Sequence, residues 1–139
     1  MNSKNALNLQ NEKIYNIAFK KNTVYIKHHI ELNNSDLVNA SSQFVGDLKF
    51  SEIKYIVWDF SDITNLNTDD YTAELLTSIN ERYRQVNCSI KTVFITDNIK
   101  LGNTIKEHIN LLKTRDSNTM LFNSINEFIV WSASQQQKF

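Results

Sequence analysis

From Tyr55 onward, short apolar runs alternate with amphipathic stretches, and this alternation restricts the fold more than any other feature of the chain. Tyr55-Ile56-Val57-Trp58 is continuously apolar and ends at Asp59-Phe60. A run of that kind suits a central strand covered on both faces, the condition of parallel strands in α/β sheets. Val93-Phe94-Ile95, within Ile90 to Thr96, is a second such run, and Met120-Leu121-Phe122 is a short third. Between the first two, Tyr71, Leu75, Ile79 and Tyr83 fall at steps of four, with Leu76 and Val86 beside them. That spacing predicts a helix starting near Thr68, with Asp69-Asp70 in the first turn, where the helix dipole favours anions. Leu101, Ile105, Ile109 and Leu112 predict another helix, capped by Asp97 or Asn98. Ser124-Ile125-Asn126-Glu127 then has the form of a capping box ahead of Phe128, Ile129 and Trp131.

The N-terminal part opens on two alternating runs, Ile14 to Phe19 and Thr23 to Ile30, broken by Lys20-Lys21-Asn22. So short a connection predicts a hairpin. Within its second run, His28 and His29 point to opposite faces and cannot readily share a metal. Asn34 or Ser35 can cap a following helix, along which Leu37, Val38, Ser41, Phe44, Val45 and Leu48 keep helical spacing, with Gly46 near its end as a stop. The order is β-β-α-β-α-β-α-β-α. It predicts an α/β fold: a single-layer, mixed but mostly parallel sheet covered by about four helices. No internal repeat or linker interrupts it. One domain over residues 12–133 is expected, with flexible polar ends at 1–11 and 134–139.

Composition narrows the function by exclusion. The 15 Lys+Arg balance the 15 Asp+Glu, so there is no basic stripe for nucleic acid and no generic attraction to an anionic membrane. No apolar run is long enough for a membrane span or signal peptide, and the single Cys88 forms no internal disulfide, so a cytoplasmic protein is expected. With only Gly46 and Gly102, no glycine-rich phosphate loop can be written. No nucleophile elbow and no Cys/His ligand spacing is present, so neither a cofactor nor an enzyme is expected.

The element order, together with the stretch Tyr55-Ile-Val-Trp-Asp-Phe-Ser-Asp-Ile-Thr-Asn-Leu-Asn-Thr-Asp-Asp70, resembles the STAS domain of bacterial anti-sigma-factor antagonists. In that family a hydrophobic strand ends in an Asp, and an Asp-Ser pair about eight residues later opens the next helix; a partner kinase phosphorylates the Ser. Asp59 matches the strand-ending Asp, and Asn67-Thr68 fall at the pair. Phe122-Asn-Ser-Ile-Asn-Glu-Phe-Ile-Val-Trp131 likewise looks like the closing strand and helix of small bacterial proteins of related fold. The resemblance implies a STAS-like fold and a non-enzymatic regulatory module. It also implies a protein partner, a kinase or an anti-sigma-like protein, bound through the helix starting near Thr68, with Thr68 as the candidate phospho-acceptor.

Ligands and partners of open α/β sheets meet the rim beyond the carboxyl ends of the parallel strands. The residues expected to bind a partner there are Asp59, Asn67, Thr68, Asp69, Asp70, Thr96, Asp97 and Asn98. The plainer reading makes Thr68 and Asn98 helix caps and the acids dipole partners. Two other readings remain open. One is a small-ligand or lipid-binding domain holding an apolar ligand between sheet and helices. The other is a divalent-metal enzyme using Asp59, Asp62, Asp69 and Asp70 as oxygen ligands. Oligomeric state is open at this level.

Overall fold

The computed structural model describes residues 14–112, apart from Val45 and Asp47, and 118–136. The expected polar end at 1–11 lies outside these residues, as does Val45. The first two strands are β1 (Tyr15–Lys20) and β2 (Thr23–Asn33), followed by α1 (Asn34–Ser42) and a 3-10 turn at Leu48–Glu52. Then come β3 (Tyr55–Asn67), α2 (Thr72–Val86), β4 (Lys91–Ile95), α3 (Ile99–Leu112), β5 (Thr119–Phe122) and α4 (Ile125–Gln136). The five strands lie side by side in chain order; β1 is antiparallel to β2 and every later pairing is parallel. The mixed sheet with four helices among the described residues is the architecture expected from the alternation.

Strand alternation sorts the side chains onto two faces. Val24, Ile26, Ile56, Trp58, Phe60 and Phe94 face α1, α2 and α3, which contribute Leu37 and Ala40, Leu76, Ile79 and Tyr83, and Leu101 and Ile105 respectively. On the other face, Val57, Val93 and Ile95 pack with Phe128 of α4, joined by Tyr25, Tyr55, Met120, Phe122 and Trp131. This double cover explains why the central runs read as continuously apolar. A polar tie crosses the main layer: Thr92 Oγ1 donates to Asn80 Oδ1 (2.7 Å), and Asn80 Nδ2 donates to Thr119 Oγ1 (3.2 Å), linking α2 to β4 and β5.

Several boundaries differ from expectation. The first helix is capped by Asn33, whose side chain accepts from Asp36 N at 2.8 Å, and not by Asn34 or Ser35. It ends at Ser42, well before Gly46, and Leu48 belongs to the 3-10 turn. No glycine has positive φ, so Gly46 is not a left-handed stop. The closing helix runs to Gln136, three residues past Ala133. Its start is as expected: Glu127 N donates to Ser124 Oγ (3.2 Å), and Glu127 Oε1 accepts from Asn123 N (2.7 Å) and Ser124 N (3.2 Å). No helix of the described residues is long and apolar enough to cross a membrane.

Candidate functional site

The strand lengths build a projecting rim. Pairing between β3 and β4 ends at Asp59 and Ile95, whereas β2 and β3 continue together to Asn33 and Asn67. Past Asp59 the two therefore form a ribbon that extends beyond the rest of the sheet. Its register shifts twice, so β3 carries extra residues opposite Lys27–His29 and Ile30–Glu31. Such bulges bend a strand and are frequent beside functional sites. Ile30 sits at the second shift with φ 68°, a left-handed conformation that a β-branched residue adopts only under constraint.

From the ribbon the chain turns into α2, and this turn is where the sequence expectation needs correcting. The helix starts at Thr72, not near Thr68, because pairing with β2 keeps Ser61–Asn67 in the strand. Thr68 is half-buried and is not a helix cap. Asp69 and Thr72 close the turn: Asp69 Oδ1 accepts from Tyr71 N at 2.9 Å, and Asp69 N donates to Thr72 Oγ1 at 3.0 Å. Thr72 Oγ1 in turn donates to Asn34 Oδ1 (2.8 Å), and Asn34 Nδ2 donates to Asp69 Oδ1 (3.2 Å). Asn34 opens α1, so two hydrogen bonds lock the start of one helix to the approach of another.

Tyr71 does not join the buried stripe of α2, which consists of Ala73, Leu76, Ile79 and Tyr83 with Thr72 and Asn80. It precedes the first helical turn and stands 71% exposed. Beyond β4, Thr96 is buried: its N–H donates to Phe122 O (3.0 Å) and its hydroxyl accepts from Asn98 N (3.0 Å). Asn98 caps α3 as expected, accepting from Leu101 N at 2.8 Å. Asp97 is exposed beside it, and Ile99, the first residue of α3, is 82% exposed.

By register, Thr96, Asp97, Asn98 and Ile99 follow the end of β4 level with Asp59, whereas Asn67, Thr68, Asp69 and Asp70 close the ribbon beyond it, beside Asn34 and Tyr71; all lie at or past the carboxyl end of a parallel strand. Asp59 does not join them. It is buried on the α4 side of the sheet, where Ser61 N (3.0 Å) and Ser61 Oγ (2.6 Å) donate to its Oδ1 and Lys27 Nζ lies 4.0 Å from its Oδ2. Lys27 also reaches Asp62 at 3.4 Å, and His29 Nδ1 lies 3.7 Å from the same carboxylate oxygen. The four acids of the metal reading are therefore divided between two places. Among the described residues no three His, Cys, Asp or Glu converge as a cation site.

His28 and His29 do point to opposite faces. His28 is fully buried on the α1 side between Tyr15, Trp58 and Phe60, and neither of its ring nitrogens makes a hydrogen bond. Burial, helped by the charge of His29, lowers its pKa to about 4.

No protein-family model and no curated protein matches this sequence. Solved structures do match its fold. The anti-sigma-factor antagonist SpoIIAA in its unphosphorylated form aligns with TM-score 0.58 at 11% identity, over 86% of this chain and 97% of that one. The phosphorylated form of SpoIIAA, a Bacillus cell-fate determinant, aligns with TM-score 0.57 at 12% identity, over 85% and 98%. A Thermotoga maritima protein described as a putative anti-sigma factor antagonist gives TM-score 0.58 at 13% identity, over 83% and 91%. The fold of this chain is STAS-like.

Proposed function

We propose that this STAS-like chain is a non-enzymatic regulatory module that docks a protein partner through the rim around the start of α2. The observation that carries the reading is the rim itself. Among the described residues, Tyr71 and Ile99 are the two most exposed large hydrophobic side chains, at 71% and 82%, and Ile30 is 54% exposed. Tyr71 follows Asp69 and Asp70 on backbone held by the Asn34–Asp69–Thr72 bonds, and Ile99 follows Asp97 at the start of α3. Exposed apolar anchors within a polar surround are the anatomy of a protein interface. The partner matched to it has an apolar patch rimmed by Lys or Arg.

The likeness to anti-sigma-factor antagonists supports a partner of their kind, a kinase or anti-sigma-like protein. SpoIIAA has been solved in phosphorylated and unphosphorylated forms. By analogy, Thr68 is the acceptor in this chain: it precedes two acids, so added phosphate would pile negative charge onto the face that meets the partner. The test is titration of the chain against the anti-sigma-like kinases of its own genome. Thr68→Glu should weaken binding at least tenfold and Thr68→Ala should leave it near native. Equal effects would give Thr68 no switching role, and no binding to any of these kinases would remove the anti-sigma analogy.

A further inference from the structure

At the end of the sheet away from the rim, the β1–β2 turn, the first residue of β3 and α4 border an open-sided cleft of about 250 Å³. Tyr25, Tyr55 and Phe128 form its aromatic wall, Ser132 contributes a hydroxyl from α4, and Lys20 and Lys21 stand at the turn. Among the described residues no acid lines it. Neither lysine has a carboxylate partner among the described residues.

The cleft is held in shape by backbone bonds. Asn22 O accepts from Lys54 N (2.7 Å) and Tyr55 N (3.3 Å), which pins the hairpin turn to the start of β3. Lys91 N donates to Lys54 O at 2.8 Å, carrying the same row on to β4. Tyr55 meets Phe128 edge to face at 5.7 Å and Trp131 at 6.1 Å, so the wall is braced from behind. Two ammonium groups already lie over aromatic rings at its flanks: Lys20 Nζ is 5.9 Å from the Tyr25 centroid and Lys91 Nζ is 5.7 Å from that of Trp131.

An aromatic wall with unneutralised ammonium groups at its mouth complements a ligand that has one flat ring and one negative charge. The ring packs against the half-buried tyrosines, Phe128 being almost fully buried, and the charge meets the lysines. Size sets the upper limit, because the volume falls below the roughly 300–1,000 Å³ of sites for drug-sized ligands. We propose that this cleft is a binding site for a single-ring aromatic carboxylate. It shares no residue with the rim, so its failure and the failure of the partner reading are separate results.

Benzoate is the probe, titrated into the full chain and followed by amide NMR shifts, with acetate and benzylamine as arms that lack the ring or reverse the charge. The expected result is saturable shifts at Tyr25, Tyr55 and Ser132 with Kd below about 1 mM, and neither control arm reproducing them. Lys20→Glu with Lys21→Glu should weaken benzoate at least tenfold. Ser132→Phe, which fills the cleft without altering its charge, should do the same and serves if charge reversal disturbs the hairpin. No saturable shift with benzoate, equal shifts with benzylamine or acetate, or native affinity in a folded variant would each overturn the proposal.

Discussion

Asn34 and Asp69 are 35 residues apart in the chain and hydrogen-bonded at 3.2 Å across the rim, with Thr72 Oγ1 bonded to both the Asn34 side chain and the Asp69 backbone. The rim is therefore built into the folded chain and does not wait for a partner to order it. Thr72 is fully buried, while the groups it bonds belong to half-buried Asn34 and exposed Asp69, so water can take up part of what its hydroxyl supplies. Thr72→Val should cost about 0.5–1.5 kcal/mol in urea unfolding, the net worth of a hydrogen bond, whereas Thr72→Ser should cost less than half as much. Equal losses from the two would mean that the methyl packing, and not the hydroxyl, matters.

Ile30 should behave in the opposite way. Its left-handed backbone costs a side-chain-bearing residue about 1–2 kcal/mol, and its side chain is more than half exposed, so little packing is lost on removal. Glycine loses part of that gain to unfolded-state entropy. Ile30→Gly is expected to be up to about 1 kcal/mol more stable than the native chain while binding partner more weakly. A clear loss of stability would show that Ile30 contributes more packing than strain.

His28 should govern acid sensitivity. Its folded pKa of about 4 lies below the ordinary 6.5, so as pH falls the unfolded chain takes up the proton first. Its full contribution to folding is present above pH 6.5 and is lost progressively from there down to about pH 4. The shift corresponds to about 3 kcal/mol. His28→Leu removes this group and its two unbonded nitrogens. Urea midpoints taken from pH 7.5 to 4.5 should fall less steeply for the variant, which gains most at the acid end; parallel profiles would place the acid sensitivity elsewhere, and not at Asp36, whose raised pKa makes the fold gain from protonation.

The sheet and its helices were legible because the signals were local and repeated: double-sided apolar runs at Ile56–Trp58 and Val93–Ile95, stepped apolar residues along α2 and α3, and the Ser124–Glu127 box. The rim was legible only in part. Nothing local distinguishes Ser61–Asn67 from a loop, since this stretch is largely exposed and is held as strand by pairing with β2. That hidden extension is why α2 begins four residues after Thr68. The same extension sends Tyr71 out to solvent and makes Asp69 a bridge to Asn34. Asp59 matched a strand-ending position by spacing, but spacing does not tell which face of a sheet a residue occupies once the strand continues. Alternation from Val57 does: it puts Asp59 on the α4 side, beside Lys27.

The most direct test of rim docking is a calorimetric titration of the chain with an anti-sigma-like kinase from its own genome, run on the native chain and on Tyr71→Ser. Tyr71 is exposed and outside the core, so its replacement should leave the unfolding midpoint near native. Docking through the rim predicts binding by the native chain and an affinity loss of tenfold or more, about 1.4 kcal/mol, in the variant. Native affinity in a folded Tyr71→Ser chain would contradict it.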